Sequence, residues 1–261
     1  MSRRPRKPPL PSAWKLARAA WKDFRADWKS YAKILAVVSI PINLLGLSTG
    51  LATDPSMNAY TTIAAIIMNV ALIWAIIQAE KTGKAPGIAS SYYDGSVAIV
   101  RFLLVTVTLV LMLIPAAFGA AIYLASLSAI DASVTLPEQL LISAVCLLIA
   151  LPSVWMIIRF GLAPIAAIDT GLPPVASLRY ARKLTLGRFW RTFARYAMLA
   201  LYLIALAVPI ALVTAGLSYL KLGPVPTVFF QLATTLTALP LANIYLLHLM
   251  RSLEVKPDPA A

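Results

Sequence analysis

Charge is scarce in this sequence. Asp, Glu, Lys and Arg make up only 13% of its 261 residues, where a soluble domain carries about 25%. With 60% hydrophobic residues and a mean hydropathy of +0.81, the chain lacks the polar side chains to cover a water-soluble surface. Soluble, disordered and disulfide-stapled classes drop out, and an integral membrane protein remains. The single cysteine, Cys146, excludes an internal disulfide and reads as a small apolar packing residue. The single histidine, His248, excludes a site built from several histidines. Acidic residues number 10 against 23 basic ones. No metal-ligand cluster, phosphate loop, nucleophile with a supporting base or close pair of intramembrane carboxylates stands out. The expectation is a non-enzymatic protein with no metal and no cofactor.

Long apolar runs are what the sequence has in their place. Six reach the roughly 20 residues a transmembrane helix needs: Ala32–Thr53, Ala59–Ala79, Val97–Ser126, Gln139–Ile168, Tyr196–Leu220 and Thr227–Met250. A secretory signal is a poor reading of the first, since more than 30 residues precede it and five further runs follow. Twenty of the 23 basic residues fall on one side of a six-span topology, while Lys221 stands alone on the other side with Asp54, Asp131 and Glu138. The positive-inside bias makes the basic side cytoplasmic, with both termini inside the cytoplasmic (inner) membrane. Topology therefore explains much of the net charge of +13, and nucleic acid is not expected as a partner.

The fold class predicted is all-α and polytopic: six transmembrane helices in three hairpins, each preceded by a cytoplasmic amphipathic element. Residues 1–11 read as a disordered basic arm, 12–251 as one domain with repeats at 12–81, 86–168 and 174–251, and 252–261 as a disordered tail. The repeats rest on Pro41, Pro115 and Pro209 in the odd runs, followed by Gly46, Gly119 and Gly216, and on the segments Trp74–Gln78, Trp155–Arg159 and Ile244–His248 in the even ones.

Residues 12–33 are the most informative stretch. Trp14, Ala17, Trp21, Phe24, Trp28 and Tyr31 follow helical spacing beside a basic stripe of Lys15, Arg18, Lys22, Arg25, Lys29 and Lys33. A helix lying on the leaflet is predicted, with Ser12 as its N-cap; tryptophan suits the headgroup level and basic side chains suit anionic lipid. The same face could pack on the protein's own bundle. The fourth–fifth connection repeats the theme with Arg179, Arg182, Lys183, Arg188, Arg191 and Arg195, and places Pro174 in a first helical turn and Gly187 beyond a helix end.

The run Gly171-x-x-Pro174-Val175-x-x-Leu178, continuing to Leu184-Thr185-x-Gly187-x-Phe189-Trp190, resembles the group of prokaryotic multi-span membrane proteins that includes the YciC family. The membrane domain attached to some glycerophosphodiester phosphodiesterases is similar. The resemblance implies a helical multi-span fold with amphipathic elements between hairpins; it implies no activity.

Candidate polar residues within the runs are Arg159, His248, Asn43, Asn69, Gln78 and Asn243. Glu80 and Asp169 are the acids at the cytoplasmic ends of even runs, expected to pair with Arg101, Arg159 or an interfacial arginine. Two functions fit. The first is a protein that engages anionic lipid, or a membrane partner such as a second copy of itself, through its basic-aromatic helices. The second is a small transporter or export subunit, with Arg159, Asn69 and Asn243 along a polar route.

Overall fold

A computed structural model describes residues 11–49, 55–129, 136–220 and 223–254. Among them there are ten helices and no strand: α1 (Ala13–Thr49), α2 (Pro55–Thr82), α3 (Ile88–Ser96), α4 (Ile99–Met112), α5 (Ile114–Ala129), α6 (Leu136–Phe160), α7 (Ala163–Asp169), α8 (Pro174–Thr185), α9 (Phe189–Tyr219) and α10 (Val225–Leu253). The arm, residues 1–10, and the tail from 255 lie outside the described residues. Ser252 and Leu253 are not tail but the end of α10.

Four stretches are long and apolar enough to cross a membrane: Ala59–Thr82, Glu138–Asp169, Phe189–Tyr219 and Val225–Leu253. A fifth counts if α3 and α4, bent by 71°, form one span. The other two sequence-derived spans differ from these. The first falls on the far part of α1 and runs into residues 50–54, outside the described ones. The third is divided at Leu113, between α4 and α5, where Pro115 cannot donate a backbone bond. The neighbouring helix compensates: Ser153 Oγ accepts the Ala116 N–H at 3.1 Å.

Local chemistry explains the breaks. Ser12 caps α1 through a 3.3 Å bond from the Lys15 N–H, and the helix runs through to Thr49 with a single non-helical residue, Asp27 (φ −119°, ψ 17°). The leaflet helix and the first apolar run are thus one helix hinged at Asp27. Gly83 (φ +76°) ends α2 in the left-handed region that side chains disfavour. Pro86 then leads into α3, which is tied down by a 2.6 Å bond from the Tyr92 hydroxyl to Ile34 O.

Buried apolar residues concentrate where α1, α2, α7 and α10 converge, from Leu35 and Leu72 to Leu162, Leu249 and Leu253. α9 and the far halves of α5 and α6 instead present Phe118, Leu148, Leu201 and Leu212 outward, an apolar exterior that water would not tolerate at this extent. Glycine has unequal work among the supposed repeats. A Cβ on Gly119 would sit 2.7 Å from Cys146 O, whereas one on Gly216 meets nothing within 4 Å. Gly119→Ala is therefore expected to destabilise by about 1–3 kcal/mol through overpacking of α5 on α6, and Gly216→Ala to be neutral, in thermal melts of the purified protein.

Candidate functional site

The outward face of α1 follows from helical periodicity. At about 100° per residue, Leu16, Ala17, Ala20, Phe24 and Tyr31 share one side, and all five are buried. Trp14, Trp21 and Trp28 recur every seven residues, a spacing that drifts only about 20° per repeat. They line the edge of the buried side and keep 53%, 39% and 49% of their surface exposed. Beyond them lie Lys15, Arg18, Lys22, Arg25 and Lys29, all exposed. Cation and ring touch directly at one point, where Arg18 Cζ stands 5.2 Å from the Trp14 ring centroid. The single aromatic face expected from the sequence is thus two faces: Ala17, Phe24 and Tyr31 are buried, and the tryptophans, with Trp21 against Phe24 at 5.8 Å between ring centroids, stay about half exposed. The order around the helix is core, tryptophan, cation.

The second basic stretch divides. Arg179, Arg182, Lys183 and Arg191 are exposed as expected. Arg188 is not: it is 6% exposed at the start of α9, where its N–H bonds to Thr185 O. Arg195 is also turned inward. It donates to Pro11 O at 2.8 Å and to Arg191 O at 2.6 Å, and its carbonyl accepts from the Tyr245 hydroxyl at 3.0 Å. Both were expected among the headgroup contacts. Arg188 is buried at the α8–α9 corner, and Arg195, further along α9, ties the chain just before α1 to α9 through Pro11 O.

One end of the bundle carries a charged hub. Arg251 on α10 grips both Glu80 oxygens on α2 at 2.9–3.2 Å, and donates to Asp169 Oδ2 on α7 at 2.7 Å. Lys81 reaches Asp169 Oδ1 at 3.1 Å, and the Asp169 side chain is only 6% exposed. Glu254 joins Arg251 at 3.4 Å and accepts from the Tyr180 hydroxyl on α8 at 2.8 Å. Burial, then Glu254, pushes the Tyr180 phenol up to about 12, so it stays a donor at neutral pH. Nearby, His248 Nε2 and Asp23 Oδ2 lie 2.8 Å apart, joining α10 to α1.

Of the three partners expected for Glu80 and Asp169, the structure selects an arginine at the end of a run, Arg251, and neither Arg101 nor Arg159. Arg101 donates to Gly171 O at 2.9 Å. Arg159 stacks on Trp155, its Cζ 4.4 Å from the ring centroid, one turn away on the same helix. Arg251 was visible in the sequence only as a basic residue at the end of the last run. The sequence signal was limited to Glu80 and Asp169 at the ends of two even runs and Arg251 at the end of the third; that Arg251 reaches both, and Glu254 as well, is a matter of packing.

Two cavities adjoin these features. One, of about 320 Å³, lies between α1, α2 and α10 and is lined by Asp23, Asp27, Tyr31, Glu80 and His248. The other, of about 640 Å³, lies between α2, α4, α9 and α10. Asn69 is in its wall, and its Oδ1 accepts from Asn243 Nδ2 across the helix interface at 2.9 Å. Asn43 only back-bonds to Ser39 O at 2.8 Å, and Gln78 lines neither cavity. Of the six polar candidates, only Asn69 and Asn243 are brought together.

No family model, curated protein or solved structure matches this chain. Among the described residues no group of three or more His, Cys, Asp or Glu side chains could hold a metal ion.

Proposed function

We propose that this is a non-enzymatic protein of the cytoplasmic membrane that crosses it six times, with both termini and the charged hub inside. In this reading it engages anionic lipid headgroups, or a partner carrying comparable charge, through α1 and α8. The three hairpins form related units, and the alternation of hairpins with amphipathic elements is the arrangement that the resemblance to the YciC-like group implies. The observation that carries the reading is the order of residues around α1. Phe24 and Tyr31 are buried while three tryptophans beside them keep about half of their surface exposed, more apolar area than packing on the bundle consumes. At a membrane boundary those rings occupy the headgroup level, and the cations beside them face phosphate.

The test is tryptophan quenching in vesicles. Brominated anionic phospholipid is expected to quench more strongly than its zwitterionic counterpart, and the difference to shrink as salt rises. Equal quenching by both lipids would sink the headgroup role. Topology has its own check in a Cys146→Ser background: a cysteine at position 22 or 182 is expected to resist an impermeant external thiol reagent, and one at position 221 to react. The transport alternative is supported by the placement of Asn69 in a cavity wall, but Arg159, the other residue proposed for its route, lines neither cavity.

A further inference from the structure

The larger cavity has walls with a definite chemistry. Most of its lining is hydrocarbon, including Ile66, Met68, Phe102, Leu203 and Leu239, and it contains no charged side chain. Thr62 and Ala65 on its rim are exposed, so it opens to the outside of the bundle. Two hydrogen-bond donors in the wall are unspent. Asn69 uses its carbonyl oxygen to accept from Asn243, which is itself 8% exposed, and its NH2 group meets no partner among the described residues. The Thr106 hydroxyl is sealed from solvent and also unpartnered. An unsatisfied donor in an apolar surround is costly, and what both groups lack is an acceptor.

Depth narrows the choice of occupant. Asn69 lies thirteen residues before the end of α2 at Thr82, about 20 Å along the helix at 1.5 Å per residue. The hydrocarbon core of a bilayer is about 30 Å thick, so Asn69 sits near its middle. The ester of a glycerolipid is held at the headgroup level and does not reach that depth. A molecule without a charged headgroup does.

We propose that this cavity binds a free neutral lipid carrying a carbonyl oxygen, which enters sideways from the bilayer. The carbonyl accepts from the Asn69 NH2, and from Thr106 after a rotation about χ1, while the tail lies along Phe102, Leu203 and Leu239. The site needs only that these apolar helices stand in a membrane, so it survives or fails independently of the headgroup reading for α1.

The experiment uses the full-length protein in phosphatidylcholine vesicles with two photoactivatable probes. One is a fatty acid methyl ester with a diazirine in its tail, and the other is a diacyl phosphatidylcholine with the same diazirine. The ester is expected to label peptides containing 62–69, 102–106 or 234–242, and unlabelled ester to compete. Asn69→Leu should reduce that labelling roughly fivefold, the loss of about one hydrogen bond. Ala238→Trp, which fills the cavity, should abolish it while leaving labelling near the outward-facing Leu212 unchanged. Should the tryptophan variant fail to fold, judged by size exclusion, Asn69→Leu carries the test. Equal labelling of these peptides by the phospholipid probe would make a bilayer acyl chain the occupant and overturn the proposal. So would ester labelling spread around the bundle without competition.

Discussion

Arg251→Ala should lower the unfolding free energy by about 3 kcal/mol, the cost of leaving a partly buried charge network without its cation. Asp169 makes the loss large, because its side chain is 6% exposed and would keep only Lys81 as a partner. Glu80 and Glu254 are a third or less exposed and can recover part of their solvation. Arg251→Lys should recover less than half the loss, since an ammonium cannot present one edge to Glu80 and another to Asp169 at the same time. The measurement is thermal or denaturant unfolding of the purified protein. A melt of Arg251→Ala superimposable on the parent would mean that the hub holds nothing together. Because the hub joins α2, α7, α8 and α10 at one end, its loss should also loosen the anchoring of α8, visible as faster amide exchange between 174 and 185.

Replacing Lys15, Lys22 and Lys29 together by glutamine should weaken the preference for anionic lipid by about 3 kcal/mol, close to a hundredfold, at about 1 kcal/mol per basic residue near a charged leaflet. Those three side chains are exposed and lie on the cationic side of α1, so their removal leaves the buried face and the fold untouched. Tryptophan quenching by brominated anionic lipid should fall toward the zwitterionic value, and the remaining difference should be less sensitive to salt. Replacing Trp14, Trp21 and Trp28 by alanine should act differently: an environment-sensitive dye on a cysteine at position 25, in the Cys146→Ser background, should report a shallower helix, while the salt dependence persists because the other cations remain. Quenching unaltered by the lysine substitutions would remove the headgroup role from α1. Arg18, stacked on Trp14, should contribute to both properties, since charge and ring are in contact there.

Much of this architecture was legible from composition and local period. Scarce charge and long apolar runs implied membrane-crossing helices, and the four stretches long and apolar enough to cross a membrane coincide with four of the six runs. The Ser12 cap, the helix starting at Pro174 and the left-handed Gly187 were readable because each depends on neighbours within a few residues. The row of tryptophans was readable too, but not its separation from Phe24 and Tyr31. Residues about 60° apart on one helix look alike in a sequence until the neighbouring helix is in place, and here α10 covers one set and leaves the other.

The sequence by itself settled helix content, the uneven placement of charge and the presence of polar residues within greasy runs, because these are properties of short windows. Only the tertiary structure decided which charges meet. Glu80 and Arg251 are 171 residues apart, and their contact depends on the depth and rotation of two helices relative to each other. The same holds for Arg188 and Arg195, turned inward by the corner they occupy, and for Asn69 and Asn243, whose side-chain hydrogen bond spans 174 residues. Periodicity gives a side chain its direction around its own axis; packing alone determines what it finds there.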